Sequence, residues 1–356
     1  MRIVEISPYD LSAVGGVQAQ VVGLAGVLRS LGAEVQVIAP GMTEGVDASL
    51  GRVSRWRANG SVAPVALIPR MSQVAPILRS ADIIHLHEPL APMGGIAILR
   101  WVHDHGALDR LWVTFHRDGV SKGYQQWSRW WSYLLPPDHQ VAVSPFAAHT
   151  AQLVSGVYPL EIPNGVAFDG GGHWRHDEVA MGDRRQRSIL FVGRHEERKG
   201  LEVALQSFAA LDAAVELIVV GTGPLTERLK TRYPDHRIHW LGRVDEATLN
   251  GLYRSVDVVV APSLEGESFG VVLLEAMANG AALVVSDIPA YRWLSADGYA
   301  ADLVPPGDAD ALAMALTTLL ADSLRRNALR ARGFERVRSF AFTTIAERYL
   351  TLFSGS

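Results

Sequence analysis

Short apolar runs alternate with helical patterns along most of the chain. "RIVEIS" leads through a glycine-containing turn into the helix-like "GVQAQVVGLAGVLRSLG", and "EVQVIAP" follows. "DIIHLH", "RLWVTFH" and "QVAVSP" continue the series. Such βαβ alternation predicts a parallel sheet covered on both faces. Around residues 165–187 the pattern fails: "NGVAFDGGGHWRHDEVAMGDRRQRS" is Gly-rich, charged and without sustained period, so it reads as a linker. The alternation restarts with "SILFVG", "ELIVVG", "RIHWLG", "DVVVAPS" and "ALVVSD". The expected architecture is α/β: two Rossmann-like, doubly wound domains, 1–165 and 188–339, facing across a cleft and joined by a linker at 166–187. The closing segment "FAFTTIAERYLTLF", about 340–353, is amphipathic and placed to cross back to the first domain.

A length of 356 residues accommodates two domains with a sizeable core. The net charge of −4 gives no general attraction to nucleic acid, and none is expected as a partner. The absence of cysteine excludes disulfides and thiolate chemistry and makes a reducing cytoplasm the expected compartment. "MRIVEISPYD" runs straight into a strand pattern without the apolar core of a signal peptide. No apolar run approaches the ~18–20 residues that cross a bilayer, so any membrane contact is expected from the surface.

The stretch "EGESFGVVLLEAMANG", residues 265–280, joins an acidic, small-residue opening to an apolar stripe of Val272, Leu273, Ala276 and Met277. Glu267 and Glu275 stand in it, and buried carboxylates are costly unless something hydrogen-bonds to them. Eight residues of helix would separate them by about 12 Å. That exceeds the roughly 5–10 Å of a glycosidase carboxylate pair. The two acids suit instead opposite ends of an elongated, hydroxyl-rich ligand along a helix N-terminus, with the amides of Ser268, Phe269 and Gly270 beside an anion. A nucleoside diphosphate sugar has that anatomy. The plainer alternative makes Glu267 a cap or surface acid and Glu275 a solvated helix residue.

In "FVGRHEERKG", Arg194 and Lys199 follow a strand directly, where α/β proteins bind ligands. Two such cations could neutralise a diphosphate leaving group. Equally, Glu196 and Glu197 could pair them on a solvated loop. Gly15 and Gly16 would let a phosphate approach the first helix, although a plain tight turn explains them better. "LHEP" and "TFH" end strands, and a lone His116 is more often structural than a sugar contact. There is no HExxH, Walker lysine or well-placed Asp-x-Asp.

Taken in order, "GGVQ", "LHEP", "TFH", "IPNGV", "GRHEERKG", "ESFGVVLLEAMANG" and "VSD" resemble the family-4 retaining glycosyltransferases of the GT-B fold. Within that family the chain is most similar to the mannosyltransferases that act on phosphatidylinositol. The resemblance implies that Arg194 and Lys199 bind the donor diphosphate, with the Gly16 amide nearby. It implies Glu275 on the ribose, and Glu267 with Ser268, Phe269, Gly270 and Val271 at the hexose end. His116 would contact the hexose, so that Arg194, Lys199, Glu267 and His116 form the catalytic set. Val244 and Glu246 would hold the base, where a carboxylate suits the paired N–H donors of guanine. Tyr9, Gln18, Asn59 and Ser61 would face the acceptor.

The implied donor is GDP-mannose, the acceptor an inositol lipid at the inner membrane face, and neither cofactor nor metal is expected. Two departures bear on the acceptor: Pro64 follows "NGSVA" where the mannosyltransferases carry arginine, and "LIPRMSQVAPILRSAD" offers only Arg70 and Arg79 where they are lysine-rich. A UDP-sugar-dependent relative, a non-catalytic nucleotide-sugar-binding protein and a nucleotide-sugar 2-epimerase are the alternatives. Finally, Trp127, Trp130, Trp131 and Leu134 fall at helical spacing on one face of "SKGYQQWSRWWSYLL". This stripe either packs on the first domain or makes a weak peripheral membrane contact, with Lys122 and Arg129 beside it.

Overall fold

The computed structural model describes residues 1–13, 15–58, 61–168 and 187–355. Most of the linker expected at 166–187, and Asn59, lie outside the described residues. The chain divides into two compact units, Met1–Gly165 with Phe342–Ser356, and Val166–Ala341.

In the first unit the strands are β1 (Arg2–Ile6), β2 (Glu34–Ala39), β3 (Ala48–Ser49), β4 (Gly51–Ala58), β5 (Ser61–Pro69), β6 (Ile83–His87), β7 (Leu111–Phe115), β8 (Gln140–Ala142) and β9 (Leu160–Glu161). All but β4 and β5 form one sheet in the order β3-β2-β1-β6-β7-β8-β9, parallel throughout. β4 and β5 make a separate antiparallel hairpin. Strand order reverses at β1, which pairs β2 on one side and β6 on the other. Such a switch point leaves a crevice at the carboxyl ends of the two strands, where α/β sheets bind ligands. Helix Gly16–Ser30 covers the sheet with Val21, Leu24 and Leu28, and helix Phe342–Ser354 adds Ile345, Tyr349 and Phe353 to the same core. Gly23 makes this packing possible, because any β-carbon there would stand 2.2 Å from the ring of Phe342.

The second unit repeats the plan with β10 (Arg187–Val192), β11 (Val215–Val220), β12 (Ile238–Gly242), β13 (Val258–Ala261), β14 (Ala282–Ser286) and β15 (Asp302–Val304). The order is β12-β11-β10-β13-β14-β15, again parallel, with its switch point between β10 and β13. Its strands are Val-, Ile- and Leu-rich runs because helices bury both faces. Helices Leu201–Ala209 and Ala309–Ala321 supply Leu205, Phe208, Leu312 and Leu316 to that core.

Candidate active site

Around the switch point of the second unit, β10 ends in Gly193–Glu196 and a short turn of helix, Glu197–Lys199, while β13 ends in Pro262–Gly270. The two loops bind each other. Glu267 Oε1 accepts from the Lys199 ammonium at 2.6 Å, from Arg198 Nη1 at 3.3 Å and from the Ser263 hydroxyl at 3.1 Å. Ser263 also meets the buried Tyr291 hydroxyl at 2.9 Å. Arg194 reaches Glu196 at 2.6 Å. Of the two pairings a solvated loop would make, that of Arg194 with Glu196 therefore forms, whereas Lys199 turns to Glu267 rather than Glu197. Arg198 and Ser263 were not singled out in the sequence, though Arg198 directly precedes Lys199 and Ser263 lies just before the stretch that starts at Glu265.

The position of Glu267 corrects the helical estimate. The helix spans Val271–Ala278, with Gly270 as its N-cap at φ +99°, so Glu267 stands in the preceding loop and helical rise does not set its distance from Glu275. The ring of Phe269 is buried between Trp293 and Phe340, leaving only its backbone for a ligand. Ser268 and Val271 are half-buried, and Gly270 packs closely on Tyr291.

Glu275 is on the helix, accepting from the Tyr253 hydroxyl at 3.0 Å. Burial raises its pKa from 4.5 to about 7, with the Glu246 charge adding to the effect and the Tyr253 bond opposing it. Glu246 itself is exposed at the start of helix Glu246–Ser255, after the half-buried Val244. Glu246 thus stands near enough for its charge to reach Glu275. Because the folded state binds the Glu275 proton more tightly than the unfolded chain, stability attached to this group is full below pH 4.5 and lost as pH rises through 7. Glu275→Gln is expected to stabilise the protein at pH 8 by at most about 3 kcal/mol, and hardly at pH 4.5. Thermal unfolding of both forms at the two pH values checks this; an equal shift at both would rule out titration of Glu275.

At the switch point of the first unit, helix Gly16–Ser30 starts just beyond β1, with Gly15 as an extended N-cap and Gly16 exposed. Tyr9 bridges to Val65 of β5, and its hydroxyl pKa is raised by burial and the nearby Glu88, against the pull of Arg117. Gln18 is half-buried, its amide 3.5 Å from the Asp10 carbonyl. Ser61 opens β5. His116 is buried directly after β7, and its backbone N–H donates to Glu88 Oε1 at 2.7 Å. Burial first, then the charges of His87 and His85, push its pKa well below the usual histidine range. Behind it stand Glu5, His85 and His87, wholly buried, whose ligand atoms fall within 4.8 Å of one another. They are engaged by each other, Thr114 and His116 at hydrogen-bond distances.

The tryptophan stripe is not one helical face. The helix ends at Arg129, and a separate 3-10 turn covers Ser132–Leu134 before Leu135, which is extended ahead of Pro136. Leu134 enters the core, Trp127 and Trp131 are half-buried, and Trp130 and Tyr133 are 75% and 66% exposed. No helix among the described residues is long and apolar enough to cross a membrane.

Comparison with known proteins bears on both units. Residues 14–169 match Glycosyltransferase Family 4, and residues 186–322 match Glycosyl transferases group 1. The phosphatidyl-myo-inositol mannosyltransferase of Mycobacterium leprae is 36% identical over 374 residues, covering 99% of this chain and 96% of its own. The chain also shares its fold with sucrose-phosphate synthase from Thermosynechococcus elongatus, at a TM-score of 0.73 and 23% identity over the full length of both. With HepE from Anabaena, solved in complex with UDP-glucose, the TM-score is 0.75 at 18% identity, again over both whole chains. Two parallel sheets with paired switch points, a cation–carboxylate set at one and full-length kinship at this level lead to one assignment: the chain belongs to glycosyltransferase family 4, with the GT-B fold, and is a glycosyltransferase.

Proposed function

We propose that the chain transfers mannose, with retention, from GDP-mannose to an inositol-bearing acceptor such as phosphatidylinositol. The observation that carries this reading is full-length kinship to proteins named phosphatidyl-myo-inositol mannosyltransferase. Arg194 and Lys199 take the diphosphate in place of a metal, Glu275 the ribose, Glu267 and His116 the hexose. Glu246 favours guanine over uracil. Tyr9 and Gln18 face the acceptor. The protein meets the inner face of the membrane weakly, through Trp130 and Tyr133 with Lys122 and Arg129 nearby. Pro64 and the lysine-poor segment favour, as a second reading, a soluble or other lipid acceptor.

Calorimetry with GDP and UDP, followed by transfer assays in excess EDTA with phosphatidylinositol liposomes or soluble inositol phosphates, tests all parts. Tighter GDP binding, lipid mannosylation unaffected by EDTA, and co-sedimentation that weakens in Trp130→Ala/Tyr133→Ala are expected. Tighter UDP binding would reassign the donor. A strict divalent-metal requirement would overturn the metal-free chemistry, and product only on soluble acceptors would remove the lipid.

A further inference from the structure

Inside the first unit a chain of side-chain hydrogen bonds runs from the C-terminal helix to His116. The Tyr349 hydroxyl meets Thr114 Oγ1 at 3.1 Å, and Thr114 Oγ1 meets His85 Nε2 at 2.7 Å. His85 Nδ1 and His87 Nε2 both reach Glu5 Oε2 at 2.9 Å. His87 Nδ1 then stands 2.9 Å from Nε2 of His116. Glu5, His85, His87 and Thr114 are wholly inaccessible to water, and His116 is 5% exposed. Glu5 has no part in the transfer described above, and a carboxylate in the centre of a parallel sheet is costly without a purpose.

The protons of this chain have one consistent arrangement near neutral pH. Burial opposes ionisation of Glu5, but the charges and N–H donors of His85 and His87 outweigh it and hold its pKa at about 2. A carboxylate only accepts, so both ring nitrogens facing it carry hydrogen. Burial, with the His85 charge adding, lowers His87 to about 4. Neutral His87, with its hydrogen on Nε2, turns a bare lone pair at Nδ1 towards His116. His116 must therefore donate from Nε2, since two facing lone pairs repel. Its Nδ1 is left as an acceptor that no group among the described residues meets. Asn164 lies within side-chain hydrogen-bonding reach of His116 and so counters part of the effect of burial, yet neither its Oδ1 nor His116 Nδ1 completes a bond of good geometry. Unmet buried acceptors call for an explanation, and hydroxyl donors supply one.

We propose that Glu5 is a positioning residue: its carboxylate fixes the tautomer of His87, His87 fixes that of His116, and Nδ1 of His116 thereby accepts a hydroxyl of the donor hexose. This rests on the reading above in which His116 meets the hexose. With Nδ1 protonated instead, the sugar hydroxyl would have to turn round to accept.

Side-chain 15N NMR of histidine-labelled protein at pH 7 without donor reads the tautomers directly, with His116→Ala for assignment. Wild type should show His116 bonded to hydrogen at Nε2 alone, and Glu5→Gln should populate the Nδ1–H form. An Nδ1–H or doubly protonated His116 in wild type would overturn the proposal. Kinetics with GDP-mannose, or UDP-glucose where the donor screen selects it, give the second readout. Glu5→Gln should lower kcat/KM about tenfold. On a His116→Ala background the same change should cost less than about twofold, because coupled residues are non-additive. Equal losses on both backgrounds would make Glu5 merely structural. If Glu5→Gln fails to fold, His87→Gln breaks the chain one link later and is read in the same way. Undiminished transfer by His116→Ala would remove the hexose contact, while the NMR result would still decide what Glu5 does.

Discussion

Lys199→Ala is expected to lower the transfer rate by about 10²-fold or more, and Arg194→Ala by a comparable factor. Charge builds on the departing diphosphate as the glycosidic bond breaks, and fixed cations outside bulk water stabilise it without reorganising. Lys199 is already fixed: its side chain is 20% exposed and its ammonium is held 2.6 Å from Glu267. Removing it leaves Glu267 with Arg198 and Ser263, so the loop keeps its shape and the loss falls on rate rather than folding. Arg194 needs no loop to rearrange either, since Glu196 holds it beside the carboxyl end of β10. Steady-state kinetics should show kcat falling more than donor KM rises. A kcat within threefold of wild type for both variants would dismiss these cations as the leaving-group site.

Gly200→Ala should destabilise the second unit by about 3 kcal/mol or more, through overpacking together with left-handed backbone strain. Gly200 sits at φ +67°, and a β-carbon there would lie 1.9 Å from the carbonyl oxygen of Pro262. Backbone cannot yield as a flexible side chain can. Either the turn carrying Lys199 or the loop carrying Glu267 must shift, so activity should fall together with stability. For a unit of this size the melting temperature would drop by about 6–12 °C. Gly251→Ala is the contrast, because nothing stands within 4 Å of its β-carbon and the residue is an exposed position of helix Glu246–Ser255. That change should stabilise by about 0.5–1 kcal/mol. Calorimetric scans of the two variants decide it, and a Gly200→Ala protein as stable as wild type would refute the clash.

The parallel strands were legible because each is a short, continuous run of branched apolar residues, the pattern that burial on both faces imposes. The edge strands β3, β9 and β15 span only two or three residues and leave no pattern to detect. The β4–β5 hairpin had a signal that was passed over: Asn59-Gly60 between two alternating runs is a strong hairpin dipeptide. The helix expected through Leu134 instead ends at Arg129, and Pro136 accounts only for the extended backbone at Leu135. In the site, the loops after β10 and β13 were readable from their cations and acids.

Glu5 was not, though "RIVEIS" sets it on the same strand face as Ile3, and "IIHLH" sets His85 and His87 on one face of the neighbouring strand. Three polar residues aligned on adjacent buried strands were a legible demand for mutual partners. What sequence could not supply was register: Glu5 opposite His85, and His87 opposite Thr114.

The helix Phe342–Ser354 completes the core of the first unit, yet it is made only after all of Val166–Ala341. During synthesis the first unit therefore waits, with Ile345, Tyr349 and Phe353 missing from its core, until the ribosome has finished the second. Bringing Gly165 and Phe342 together across a flexible stretch of that length would cost about 4–5 kcal/mol in loop closure. The folded second unit removes most of that cost, because its own ends already meet: Val166 bridges Ala341, and its N–H bonds the carbonyl of Phe340 at 2.9 Å. The later-made half thus acts as a staple that lets the earlier half finish, and the order of assembly is written into where the chain crosses back.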